Sequence, residues 1–283
     1  MNIRVCESLC DKGSARYNED IIGFTQSGAW VLDGATGLNH KNLVSQESDA
    51  KWYVEWWNDY LYKNIDNSNS LKELIREGIK TINTDYKNKL RNNKVSKLDK
   101  PSSSIAIIKY HKSKVEYFIL GDCELHTMID NTVSIVKNKE VQDLDNKVYK
   151  KMENLPNLLT LSHEEIKNEV MDTIIENRLK KNTKDGYWIL GFEEEAVDEA
   201  LYGNIKIKKD VSLMLMSDGF SCVKDRYQLV KENKLIKIVR EQGVKSIFSR
   251  LRKFEQEKLS INKYPRFKIS DDSSCIYLNI NID

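Results

Sequence analysis

The sequence predicts an α+β fold, and three observations carry that reading. Short runs rich in β-branched or alternating apolar residues stand near both ends of the chain and in its middle. Apolar residues at three- and four-residue steps, the repeat of one helix face, fill the stretches between them. The resulting order is a strand, two helices, a block of strands, several helices, two strands, two helices and a last strand. That order segregates the element types and is not a βαβ alternation.

The first strand is Ala29–Leu32, preceded by a short apolar run that starts at Asp20. Trp52, Trp56, Tyr60 and Leu61 then recur at helical steps, and Leu71, Leu74, Ile75, Ile79, Ile82, Tyr86 and Leu90 follow a helix face over five turns. Two helices lying back to back are expected there, with the aromatic stripe as core packing. Ser104–Tyr110, Val115–Leu120 and Glu124–Ile129 read as strands, the last two joined at Gly121-Asp122 as a tight antiparallel hairpin. Glu164–Leu179, with Ile166, Val170, Ile174 and Leu179 on one face, and Glu193–Leu201 read as helices. Strands Asn204–Lys208 and Ser212–Met216 precede charged helices near Leu229–Glu241 and Val244–Leu259, and Cys275–Ile280 closes the chain as a strand.

With 283 residues, only Pro101, Pro156 and Pro265 as prolines, and no Gly/Ser-rich linker or internal repeat, residues 1–283 read as a single domain. Lys and Arg total 45 against 43 Asp and Glu, and this balance lacks the basic excess of a dedicated nucleic-acid binder. No apolar run reaches the ~18 to 20 residues of a bilayer span, and MNIRVCESLCDKGS has no signal-peptide core, so neither membrane insertion nor secretion is expected. Cys6, Cys10, Cys123, Cys222 and Cys275 form an odd, scattered set, read as reduced thiols of a cytoplasmic protein. The basic residues between Lys87 and Lys100 read as a solvated helix end, or as a docking surface for an acidic or phosphorylated partner. Oligomeric state is not written in these features.

The chemistry is written in carboxylates at strand ends. Asp33 in GAWVLDGATG and Asp218 in SLMLMSDGF each follow an apolar run and precede a glycine, which reads as a sharp backbone turn. Asp271 and Asp272 precede the last strand, and Glu19 and Asp20 in ARYNEDIIGF open another apolar run just after Arg16. Two carboxylates ~4 Å apart repel by about 4 kcal/mol at an effective dielectric near 20. A fold that gathers them needs compensation, and all-oxygen ligands suit Mg²⁺ or Mn²⁺ better than Zn²⁺.

RYNED, VLDGATG, ILGD, LMSDGF and DDSS, in this order over nearly the whole chain, resemble the metal-dependent serine/threonine protein phosphatases of type 2C, and GYWILGFEEEAVDEA is similar to bacterial members. The resemblance implies a four-layer α-β-β-α sandwich, two antiparallel sheets flanked by helices. It implies hydrolysis of phosphoserine and phosphothreonine in a phosphorylated protein substrate by a water activated between two Mg²⁺ or Mn²⁺ ions, with room for a third. By motif match, Asp33 would bridge both ions, the Gly34 carbonyl would complete one, and Asp218 and Asp271 would hold the other. Glu19 and Asp20 would act through metal-bound waters, and Arg16 would grip the substrate phosphate. A third ion would take Asp143 or Asp145, and Asp122 would be structural. Ala35 stands where many eukaryotic members place a histidine, which leaves the leaving-group proton to a metal-bound water or to His40. His111, His126 and His163 read as structural or surface residues. The alternatives in view are a catalytically inactive phosphatase-like module that binds a phosphoprotein or regulatory partner, and a hydrolase of small phosphate esters.

Overall fold

The computed structural model describes residues 3–38, 41–90 and 95–281, without the side chains of residues 259, 261 and 262. The strands, numbered in chain order, are β1 (Ile3–Asp11), β2 (Asp20–Phe24), β3 (Gly28–Ala35), β4 (Ser102–His111), β5 (Lys114–Leu120), β6 (Glu124–Ile129), β7 (Thr132–Val136), β8 (Leu201–Lys206), β9 (Val211–Met216) and β10 (Ser273–Ile280). They form two five-stranded sheets, β1-β10-β9-β6-β7 and β2-β3-β4-β5-β8, paired antiparallel throughout.

Strand alternation builds the layers. Ala29 and Val31 of β3 face inward, as do Ala106 and Ile108 of β4, and they meet Leu213 and Leu215 of β9 and Ile276 and Leu278 of β10 in the core between the sheets. The residues between them face outward. Trp30, Leu32, Ile105 and Ile107 pack under α1 (Asp49–Asn64) and α2 (Leu71–Leu90), whose buried faces supply Tyr53, Trp57, Leu61, Ile75 and Ile79. On the opposite side, Met214, Met216 and Tyr277 pack under α6 (Asp218–Asp225), α7 (Leu235–Gln242) and α8 (Val244–Gln256), with α9 (Lys258–Lys263) beyond. The result is the expected four-layer α-β-β-α sandwich.

Between β7 and β8 the chain leaves the sandwich. Helices α3 (Glu140–Glu153), α4 (His163–Glu169) and α5 (Met171–Leu179) enclose a small core of their own, Val148, Met152, Ile166 and Val170. The insertion is tied back to the body by His163, whose Nδ1 lies 2.6 Å from the Arg266 carbonyl oxygen, and by the buried Lys181 ammonium, which donates to the Lys100 carbonyl at 3.2 Å and the Ser102 hydroxyl at 3.3 Å.

Several local expectations differ from this arrangement. Gly121-Asp122 does not close a hairpin: β5 and β6 belong to different sheets, and Gly121, at φ +78°, carries the chain from one to the other. Alternation and a Gly-Asp turn specify a change of direction and not which sheet receives the next strand. The 193–201 segment is one short turn, Glu194–Val197, running into β8, and the 164–179 helix is broken at Val170 into α4 and α5. The buried stripe of α1 is Ala50, Tyr53, Val54, Trp57 and Leu61, while Trp52, Trp56 and Tyr60 are half-buried along its border.

Candidate active site

The ends of β3 and β9 and the starts of β2, β6 and β10 meet at one edge of the sandwich. Asp33 lies on the inward-facing register of β3, the register of Ala29 and Val31, directly opposite Asp20 of β2 and Ser104 of β4. Ser217 and Asp218 continue β9 where Met216 pairs with both Cys275 and Glu124, and Asp218 opens α6. Asp122 stands at the crossing from β5 to β6, and Asp271 just before β10. The topology thus brings to one edge carboxylates that are far apart along the chain.

The glycines of the two Asp-Gly motifs serve close approach, not a sharp turn; neither has a positive φ. A Cβ on Gly34 would lie 2.6 Å from the Glu19 carbonyl oxygen, and one on Gly219 would lie 1.8 Å from that of Asp272. The passing chain is used: the Gly34 amide donates to the Glu19 carbonyl at 2.9 Å. The Glu19 amide in turn donates to the Asp272 carboxylate at 2.6 Å, which joins the β2 and β10 approaches.

The electrostatics are those of crowded, partly buried acids. The Asp33 and Asp218 carboxyls meet within hydrogen-bonding reach. Both are pushed well above the usual carboxylate range, first by burial, then by Asp20 and Asp218 acting on Asp33 and by Asp122 and Asp271 acting on Asp218. Burial raises Asp20 to about 7, against the opposing hydrogen bonds of Ser217 and Ser274. The Ser217 hydroxyl donates to Asp20 Oδ2 at 2.8 Å, while Oδ1 is buried without a partner. Asp122 is raised by burial and held by the Ser104 hydroxyl at 2.6 Å. Glu19 accepts from the hydroxyls of Thr36, at 2.8 Å, and Ser48. Asp271 accepts from the Asp272 amide at 2.8 Å and pairs with Lys268.

Among the described residues, no three His, Cys, Asp or Glu side chains stand as a ready-made cation cage. The donor set nevertheless fits a hard divalent cation: the contact between Asp33 and Asp218 needs a shared proton or a cation, the orphaned Asp20 Oδ1 is a further oxygen donor, and among the described residues that line the cleft there is no sulfur or imidazole.

Apart from Asp20 and Asp272, which lie behind it, these acids form the floor of a cleft of about 540 Å³. Glu19, Asp33, Gly34, Asp122, Asp218 and Asp271 all line it, as does Ala35. Arg16 does not; it is exposed, with its guanidinium 5.1 Å above the Tyr17 ring. The insertion roofs the cleft with Val141, Leu144 and Val148 of α3 and with Lys167, Asn177 and Arg178. Asp145 lines the same space, raised to about 7 by burial and Asp122, whereas Asp143 is exposed on α3. His126 is fully buried 2.9 Å from Glu124, and His111 is exposed at the end of β4. His40 lies outside the described residues. Lys167 and Arg178 went unnoticed in the sequence because nothing local distinguishes them from the cations common in a last helical turn.

No family model matches the chain, and no curated protein matches it in sequence. Solved structures do match in fold. The serine/threonine phosphatase PstP/Ppp of Mycobacterium tuberculosis superposes with a TM-score of 0.60 at 13% identity over 100% of both chains. PppA, a regulatory component of the type VI secretion system of Pseudomonas aeruginosa, gives 0.57 at 13% over 100% of this chain and 99% of its own. The PstP catalytic domain in complex with two manganese ions gives 0.56 at 14%, over 100% and 99%. The chain therefore has the fold of bacterial PPM-type phosphatases.

Proposed function

We propose that this chain is a metal-dependent phosphoprotein phosphatase acting on phosphoserine and phosphothreonine. The observation that carries the reading is the half-buried contact of Asp33 with Asp218 on the floor of a cleft, with Asp20, Asp122 and Asp271 close by, on a fold whose solved representatives include a manganese-bound serine/threonine phosphatase.

Asp33, the Gly34 carbonyl, Asp218 and Asp271 would hold Mn²⁺ or Mg²⁺, with Glu19 and Asp20 beside them. Bound there, the cations would make water acidic enough to react at neutral pH and would offset charge on the phosphoryl group. The chain's own part is preorganisation. Ser217 and Ser104 fix the Asp20 and Asp122 carboxylates from behind, and Thr36 and Ser48 fix Glu19, so that little reorganisation is left for the moment of reaction. Val141, Leu144 and Val148 wall the cleft with apolar surface and limit water around the acids, which strengthens every charge interaction inside.

The deciding experiment is hydrolysis of a phosphothreonine peptide with Mn²⁺, with Mg²⁺, with excess chelator, and by Asp33→Asn and Asp218→Asn. Activity that needs the cation and falls at least ~100-fold in both variants is expected, as for loss of a central electrostatic group. A folded wild type that is inert with either cation would overturn the reading in favour of a phosphoprotein-binding module, and faster turnover of free nucleotides than of the peptide would point to a small-ester hydrolase.

A further inference from the structure

The cleft has walls of opposite sign. Its floor is carboxylate, and three cations face it: from the insertion Lys167 in the last turn of α4 and Arg178 in the last turn of α5, and from the segment ahead of β10 Lys268. Lys268 is engaged, ion-paired to Asp271 and, at 3.3 Å, to Asp272. Lys167 and Arg178 are not: among the described residues neither side chain has a hydrogen bond or an ion pair. Both are only partly exposed. Burial and the nearby charges of Arg178 and Lys268 together push Lys167 below the usual lysine range.

A lysine or arginine in a last helical turn ordinarily reaches into water, where it complements the helix dipole at no cost. These two instead line a partly desolvated cleft and repel each other there, with Asp145, whose carboxyl is raised to about 7, as the acid of the insertion that shares the space and feels Arg178; a bound anion would relieve both penalties. Arg16, the cation that the sequence motif offers for substrate phosphate, is exposed above Tyr17 and does not line the cleft.

We propose that Arg178 and Lys167 form the phosphoryl-binding wall of this cleft, gripping the phosphate of a phosphoserine or phosphothreonine side chain from the helical insertion while the carboxylate floor lies on its other side. The identity of the anion rests on the phosphatase reading; the existence of the anion site does not. Arg178 supplies a planar fork suited to two phosphoryl oxygens, and Lys167 a point charge beside it. Val148 and Ile174 lie in the same wall and offer apolar contact to the rest of the substrate side chain.

The test is calorimetric titration of Mn²⁺-loaded protein with inorganic phosphate, with a peptide carrying the non-hydrolysable phosphonate analogue of phosphoserine, and with the same peptide bearing serine. Wild type is compared with Arg178→Met, Arg178→Lys, Lys167→Met and, as a control on the outer face of α3, Lys150→Met. Arg178→Met is expected to weaken the phosphonate peptide and inorganic phosphate by roughly tenfold to a hundredfold, the loss of charge-assisted hydrogen bonds. Lys167→Met weakens them less, Arg178→Lys recovers part of the loss, and Lys150→Met binds as wild type. The Arg178→Met loss also exceeds that of Arg16→Met. Circular dichroism and the recovery in Arg178→Lys separate a lost contact from a lost helix. Unchanged affinity in Arg178→Met and Lys167→Met, or phosphate binding that gives the phosphonate peptide no advantage over the serine peptide, would overturn the proposal. Cation-dependent hydrolysis with wild-type KM in both variants refutes it and leaves the phosphatase reading intact; Arg178-dependent peptide binding without hydrolysis does the reverse.

Discussion

On the phosphatase reading, Asp33 and Asp218 are the residues at which function and stability pull in opposite directions. Their carboxyls meet half-buried, each raised first by desolvation and then by its acidic neighbours, so the cation-free fold carries a penalty that a neutral side chain of the same shape would remove. Asp218→Asn is therefore expected to raise the melting temperature of cation-free protein by roughly 2 to 8 °C, the effect of about 1 to 2 kcal/mol in a chain of this size, while abolishing the stabilisation by Mn²⁺. Differential scanning calorimetry with and without Mn²⁺ checks both halves, and a destabilised cation-free variant would contradict the strain argument. Asp20 adds a pH dependence. Its carboxyl is raised from 3.8 to about 7, chiefly by burial, so between those values the unfolded chain releases its proton before the folded one does. The folded state then binds more protons, and its stability falls as pH rises through that window; Asp145, also raised to about 7, acts in the same direction. Urea midpoints of cation-free protein should drop between pH 5 and 7.5, and the drop should shrink in Asp20→Asn.

At the scale of elements, legibility followed the number of faces a segment buries. β3, β4 and β9 are covered on both sides and run nearly all-apolar, so Ala29–Leu32, Ser104–Tyr110 and Ser212–Met216 announce themselves. β1 and β7 are sheet edges whose exposed positions are Arg4, Cys6 and Cys10 in the one and Thr132 and Ser134 in the other, which breaks up the apolar signal. α3 buries only Val148 and Met152 and carries too narrow an apolar stripe to stand out. The same thin burial makes the insertion the least anchored part of the cleft. Its core consists of Val148, Met152, Ile166 and Val170, with a rim of half-buried neighbours. Met152→Ala removes a fully buried side chain from that core, at an expected local cost of about 2 to 5 kcal/mol, close to what so small a cluster can supply. Amide exchange of residues 140–179 should accelerate strongly in this variant while β3, β4 and β9 keep wild-type protection. Equal acceleration in the sheets would show that the insertion folds as one unit with the sandwich. Phosphopeptide affinity should fall with the roof, because Arg178 and Lys167 hang from it.

For the whole molecule, the position of the carboxylates across two sheets is what would couple a bound cation to the fold. The motifs single out Asp33, Asp218 and Asp271 one by one, yet only the topology shows that Asp33 and Asp20 belong to one sheet while Asp218 and Asp271 flank strands of the other. No local pattern could reveal that division, and the misread crossing at Gly121 is the same omission seen from the chain's side. A cation held by carboxylates of both sheets would tie the two layers at the open edge of their common core. Its binding free energy then opposes separation of the sheets and not merely fraying of a loop. At a Mn²⁺ concentration 100 times the dissociation constant the gain is about 2.7 kcal/mol, or roughly 5 to 10 °C in melting temperature for a chain of this length. Amide exchange of β3 and β9 should slow together on adding Mn²⁺, by up to about 100-fold where exchange requires global opening, and chelator should reverse it. Because one ion needs both sides, Asp33→Asn and Asp218→Asn should each remove nearly the whole effect, and the double variant should lose little more. Protection gained in β3 alone, or additive losses in the two variants, would mean that each sheet binds cation separately and that the edge is not a single site.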